Sequence, residues 1–115
     1  MKIHIVEDDW GVRDALVELV RELGHPVLPF GDGESFVQTV TPAPEDLVFV
    51  DLGLPGMSGA DVVKRLQLLP APPRVVAISG QPRPQIERSL RDLRGDPGLR
   101  LLRKPLAPEA ITALL

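Results

Sequence analysis

Residues 47–50 read LVFV, four apolar side chains in a row, and run directly into Asp51 and a Gly/Pro-rich loop, LGLPGMSG. A strand with one wet face alternates apolar and polar residues, so an unbroken apolar run needs cover on both faces, as in the middle of a parallel sheet. Parallel neighbours must be joined by crossovers, usually helices. The rest of the chain should therefore supply further strands and helices in alternation.

It does. Residues 2–6 alternate and read as a first strand. Val12, Ala15, Leu16, Leu19, Val20 and Leu23 form a helical stripe that Gly24 and Pro26 bring to an end. PVLPF at 26–30 is a second strand, and its two prolines place it at a sheet edge. GESFVQTV at 33–40 is a short helix before Pro42, and LVFV is the third strand. Ser58 and Asp61 make an S-x-x-D start signal ahead of Val62, Val63, Leu66 and Leu69. RVVAIS at 74–79 is the fourth strand. Pro84 suits a first helical turn before Ile86, Leu90 and Leu93. GDPG at 95–98 is a turn, LRLLR at 99–103 the fifth strand, and PEAITALL at 108–115 a last short helix. Five β-α repeats predict an α/β domain, a parallel sheet with helices on both faces.

The 115 residues suffice for one core, so a single domain over 1–115 is expected, with no effector domain in this chain. The absence of Cys excludes disulfides and thiolate metal sites. No apolar run is long enough for a membrane span, and the N-terminus lacks a signal peptide's apolar stretch, so a cytoplasmic domain without membrane contact is expected. Residues 81–115 hold seven bases against four acids, which raises the question of nucleic acid. Glu87/Arg91 and Arg88/Asp92 stand at i,i+4 spacing, however, the pattern of a solvated, ion-paired face, so no direct nucleic-acid binding is expected.

In such a sheet the C-terminal strand ends share one edge, and ligands bind there. That edge collects Glu7, Asp8 and Asp9 after the first strand and Asp51 after the third. It also collects Ser79 after the fourth and Lys104 after the fifth. Two carboxylates about 4–5 Å apart repel by roughly 3–4 kcal/mol at an effective dielectric near 20. Three take up protons or recruit a cation, and an all-oxygen set suits Mg²⁺. His4, mid-strand, and His25, at a helix end, read as structural rather than as ligands. Carboxylate, hydroxyl and ammonium around a hard cation fit phosphoryl transfer, with a carboxylate as nucleophile. Asp51, the isolated acid at a rigid strand end, is the best nucleophile. Gly53, Gly56 and Gly59 would let the following loop pass close to it without side-chain obstruction.

These pieces, IVEDD..VR..L, VFVDLGLPGMSG, VVAISG and RKPL, in this order and spacing, resemble the receiver domain of two-component response regulators. The resemblance implies a flavodoxin-like, doubly wound sheet of strand order 2-1-3-4-5. It implies Asp51 as phosphoacceptor and Mg²⁺ as cofactor, held by Asp8, Asp51 and the Gly53 carbonyl, with Glu7 acting through water. Asp9 is left to cap the following helix. Ser79 falls at the conformation-switching hydroxyl and Lys104 at the phosphate-pairing lysine, and Lys104–Pro105 at a cis peptide. The implied partners are a sensor histidine kinase or a histidine phosphotransfer protein. A downstream effector or a second copy would use the face of the fourth helix, fifth strand and fifth helix. Such a domain is a signalling phosphoacceptor that catalyses only its own phosphorylation and dephosphorylation, not a metabolic enzyme.

Two departures stand out. Where the family usually has Tyr or Phe three residues before the lysine, this chain has Leu101, with no ring to rotate. RGDPGLRLL also replaces the usual Gly-Ala turn. They motivate an alternative, a phosphorylation-independent interaction module with a receiver fold. A third class, an Mg²⁺-dependent phosphohydrolase with an aspartyl nucleophile, commonly needs an acid two residues after the nucleophile, where this chain has Gly53. Trp10, just after the acids, should report events at the site by fluorescence.

Overall fold

The computed structural model describes residues 1–91, 93 and 99–115. In them strands and helices alternate: β1 (Ile3–Val6), α1 (Trp10–Glu22), β2 (Val27–Phe30), α2 (Gly33–Thr39), β3 (Leu47–Asp51), α3 (Gly59–Gln67), β4 (Arg74–Ser79), α4 (Arg83–Arg91), β5 (Arg100–Arg103) and α5 (Pro108–Thr112). The strands form one parallel sheet in the order β2-β1-β3-β4-β5, the order that the resemblance implies. β3 sits at its centre and is buried along its whole length. β2, with Pro29, lies at an edge, where a missing N–H costs no ladder bond.

Alternate β3 residues feed two cores. Leu47 and Phe49 join Ile3, Ile5, Val76 and Ile78 under α1 and α5, through Leu16, Val17, Val20 and Ile111. Val48 and Val50 join Val6 and Val75 under α2 and α3, through Phe36, Val62, Val63 and Leu66. This two-sided burial accounts for the unbroken apolar run LVFV.

The expected caps form. Asp9 accepts a hydrogen bond from Val12 N at 3.1 Å and starts α1; Ser58 does the same for Asp61 N, at 3.1 Å, and starts α3. The helix expected over 108–115 is shorter. After Thr112 the chain tightens, with Leu114 N donating to Ile111 O and Leu115 N to Thr112 O, while both leucines pack on the core. Glu87 pairs backward with Arg83 (3.3 Å) rather than forward with Arg91, and the pair is solvated as expected. Asp92 and the 95–98 turn lie outside the described residues. Among the described residues no helix is long and apolar enough to cross a membrane.

His4 is structural, as read. Its side chain is buried among the second-core residues, edge-on to Phe36, and its Nε2 lies 2.9 Å from Asp46 Oδ2. Asp46 also accepts from Lys2 N and Ala43 N, at 2.9 and 3.0 Å. Burial works to raise its carboxyl, but the His4 bond and the two backbone donors outweigh it and hold it below the usual range. The pair pins the starts of β1 and β3 at the edge opposite the acids.

Candidate phosphoacceptor site

The acids converge because β1 and β3 are neighbours in register, Val6 beside Val50, so each delivers its next residue to the same rim. Glu7 N donates to Phe30 O at 3.0 Å, which carries the ladder one residue past β1 and keeps the Glu7 side chain buried. Asp8 is exposed above it. Asp51 ends β3 and is 4% exposed; Leu52 N donates to Ile78 O and fixes the backbone beyond it. Carboxylate oxygens of Glu7, Asp8 and Asp51 all lie within 4.8 Å of one another. The Asp9 carboxylate is engaged in its helix cap instead.

Lys104 enters from the end of β5. Its backbone N–H donates to Ser79 O at 2.9 Å, and its stem runs past Gly80, so its ammonium reaches the acids. Nζ lies 2.7 Å from Glu7 Oε1 and 3.4 Å from Asp51 Oδ2. The Lys104–Pro105 peptide is cis.

Protonation follows from this crowding. Burial above all, then the hydrogen bond shared with Asp51, pushes the Glu7 carboxyl up to about 8, although Lys104 and the Asp9 N–H oppose the rise. Burial also works to raise Asp51. There the bond from Glu7, the Gly53 N–H (2.9 Å to Oδ1), Asp8 and the Lys104 charge prevail, and the group is held below the usual carboxylate range. Burial works against the Lys104 charge, yet Glu7 and Asp51 together raise its pKa. The hollow thus keeps Asp51 ionised and gives the shared proton to Glu7.

Ser79 is wholly buried at the end of β4, with its Oγ accepting from Gln81 N at 3.0 Å. Gln81, which sequence reasoning passed over, reaches toward Gly53: its Nε2 lies 3.8 Å from where a Cβ on that glycine would stand. The signal was the hydroxyl itself, since Ser tends to bind the N–H two residues on. Arg13 was also missed in this role; its Nη1 donates to Glu7 O at 2.8 Å and steadies the acidic turn.

Of the three loop glycines, Gly59 is fixed by close approach, because a Cβ there would overlap the Asp51 carbonyl oxygen. Gly53 is under no such constraint: its Cβ would stand in ordinary contact, 3.5 Å from Asp51 Oδ1. Leu101 is 36% exposed on β5.

Comparison with known proteins agrees with this geometry. A family model described as the response regulator receiver domain matches residues 3–115. Sporulation initiation phosphotransferase F of Bacillus subtilis is 32% identical over 78 residues, 68% of this chain and 63% of that protein. The two-component response regulator PhoP of Pseudomonas aeruginosa is 40% identical over 67 residues, 58% of this chain but only 30% of that protein. The aligned stretches therefore span less than two thirds of these relatives. Among solved structures, a CheY-like receiver domain from Methylobacillus flagellatus superposes with a TM-score of 0.79 at 27% identity, covering 99% of this chain and 94% of that one. The beryllofluoride-activated DrrB receiver domain gives a TM-score of 0.82 at 22% identity, covering 98% and 92%. With its flavodoxin-like sheet and its acids, hydroxyl and lysine gathered on one rim, the chain belongs to the receiver domain family of two-component response regulators.

Proposed function

We propose that the domain is a phosphorelay switch in which Asp51 takes a phosphoryl group from a phosphohistidine on a sensor kinase or a phosphotransfer protein. An Asp51 oxygen attacks phosphorus, the P–N bond breaks, and the imidazole leaves as an acyl phosphate forms on Asp51. The observation that carries this reading is an ionised carboxylate with a lysine ammonium beside it. Asp51 is held in its charged form at a fixed strand end, with Lys104 Nζ 3.4 Å from Oδ2.

The donor set fits Mg²⁺: three carboxylates within 4.8 Å, no soft ligand, and a lysine ammonium already drawn among them. Asp8, Asp51 and the Gly53 carbonyl would hold the ion, with Glu7 acting through water. When bound, it supplies positive charge against the phosphoryl oxygens. This chain's own residues do the rest. Lys104 pairs with the new phosphoryl group, for which it gives up Glu7. Ser79 turns its hydroxyl proton from Gln81 toward the same group while still accepting the Gln81 N–H. One loop arrangement serves the free site and another the phosphorylated one, so phosphorylation shifts their populations.

A protein donor is supported by the surface next to the site. Between α1 and the β5–α5 turn runs an apolar groove of about 340 Å³, lined by Val12, Ala15, Leu19, Pro105 and Leu106. Trp10, at the start of α1, is 71% exposed. The test is intact-protein mass spectrometry after incubation with phosphoramidate, a small P–N donor, and Mg²⁺. Addition of one phosphoryl group that Mg²⁺ removal abolishes supports the reading; no addition, or addition independent of Mg²⁺, contradicts it.

The exposure of Leu101 favours a second reading, an interaction module that does not respond to phosphorylation. On that reading beryllofluoride leaves the β5 and α4 amide resonances where they were; on the first reading it moves them.

A further inference from the structure

The loop after Asp51 carries the carbonyl that the proposed function assigns to the ion, and its far end is held by a residue from another element. Glu34, in the first turn of α2, accepts a hydrogen bond from Met57 N through Oε1 at 3.2 Å. Its other oxygen occupies space that only a glycine leaves free. Gly56 has φ +67°, and a Cβ on it would stand 2.7 Å from Glu34 Oε2. Beside this contact Gly33 is buried against α3 and the loop: a Cβ there would stand 2.8 Å from Val62 Cγ2 and 3.4 Å from Met57 O. The near end of the loop is tied by Gly53 N to Asp51 Oδ1 and its middle by buried Leu54, while Ser58 starts α3. Between Leu54 and Ser58, the Met57 side chain packs on the second core and Glu34, from α2, holds the Met57 backbone N–H.

We infer that Glu34 is a positioning residue for the phosphoacceptor site: by gripping Met57 N across Gly56 it sets the course of the loop and thereby the Gly53 carbonyl. The inference rests on the proposed function for what that carbonyl does, but the grip itself does not. A preset loop loses less freedom when a ligand binds, so its affinity gain comes without any contact between Glu34 and the ligand. The chemistry needed at position 34 is a side-chain oxygen at the reach of a glutamate, not a negative charge. Glutamine keeps that oxygen; alanine does not.

The test compares wild type, Glu34→Ala, Glu34→Gln and, as a charge control, Glu109→Ala on the exposed face of α5. Two readouts are taken: Mg²⁺ affinity by calorimetry, and amide exchange at Gly53 and Met57. The expected result for Glu34→Ala is Mg²⁺ affinity weaker by about three- to tenfold, as for loss of one ordinary hydrogen bond. Exchange at both amides should also be faster. Glu34→Gln returns both readouts to within about twofold of wild type, and Glu109→Ala changes neither, consistent with an effect carried by the hydrogen bond. Unchanged affinity and exchange in Glu34→Ala overturn the inference, and so does a Glu34→Gln variant as impaired as Glu34→Ala. Wild-type protein that takes up no Mg²⁺ counts against the proposed function instead, and the exchange readout then decides the grip by itself.

Discussion

Lys104 Nζ lies 2.7 Å from Glu7 Oε1, closer than its 3.4 Å to Asp51, so the ammonium is held by the Glu7 oxygen while its charge offsets that of the ionised Asp51. The same ammonium competes with any cation for the hollow. At an effective dielectric near 20, a unit charge about 4 Å away is worth at most ~4 kcal/mol, and solvent at the rim lowers this. Lys104→Ala should therefore bind Mg²⁺ tighter, by about three- to tenfold or ~1 kcal/mol, while accepting phosphoryl groups more slowly. Titration of Trp10 fluorescence and a time course of phosphorylation measure the two effects, which run in opposite directions.

Glu7 gives the site a pH dependence of defined sign. Its carboxyl moves from 4.5 to about 8 on folding. Between those values the folded state keeps a proton that the unfolded chain has released, so Glu7 makes stability fall as pH rises across that window. Asp51, held low, acts in a separate window: its contribution is present above its ordinary value of 3.8 and is lost as pH falls through its folded value. Urea unfolding of the metal-free domain from about pH 5 to about pH 8 should show a decline that Glu7→Gln flattens.

Metal uptake shares that proton. An ion in the hollow would draw Glu7 toward its charged form, so Mg²⁺ binding should release protons and tighten from about pH 6 to about pH 8. Calorimetry in buffers of different ionisation enthalpy reads the proton release directly. Glu7→Gln should show neither the release nor the pH slope.

At the opposite rim, Asp46→Ala removes three hydrogen bonds to a buried carboxylate and leaves His4 Nε2 unpaired. The expected loss is about 2–4 kcal/mol of unfolding free energy. The phosphorylation rate of the folded variant should match wild type, because the pair holds strand starts and not the acids. Urea denaturation and the phosphorylation time course check the two halves.

Leu101 tests the second reading. At 36% exposure it is still roughly two-thirds buried, and Leu101→Ala should cost about 1–2 kcal/mol. The informative measurement is the beryllofluoride response. β5 and α4 shifts that persist in Leu101→Ala place the switch in Ser79 and Lys104; shifts lost with that side chain place it in Leu101.

Much of this was legible in the letters. LVFV demanded cover on both faces, and β3 is indeed buried throughout. The Asp9 and Ser58 caps were local patterns, readable within four residues, and they form as read. The converging rim was legible because parallel strands deliver their ends to one edge. What escaped depends on distance in space. Glu87 had two arginines within helical reach, and spacing alone did not choose Arg83. The Glu34 grip on Met57, the Asp46 bond to His4 and the Arg13 bond to Glu7 O join residues whose meeting only the packed fold determines. Gly53 looked like its neighbours Gly56 and Gly59, yet only those two are held to glycine by φ or by close approach.

The most direct measurement is the position of the phosphoryl group. Peptide mapping after phosphorylation, with the acyl phosphate trapped by hydride reduction, should place the modification on Asp51 in wild type. Asp51→Asn should carry none. A phosphoryl group found on another residue, or carried equally by Asp51→Asn, contradicts the account.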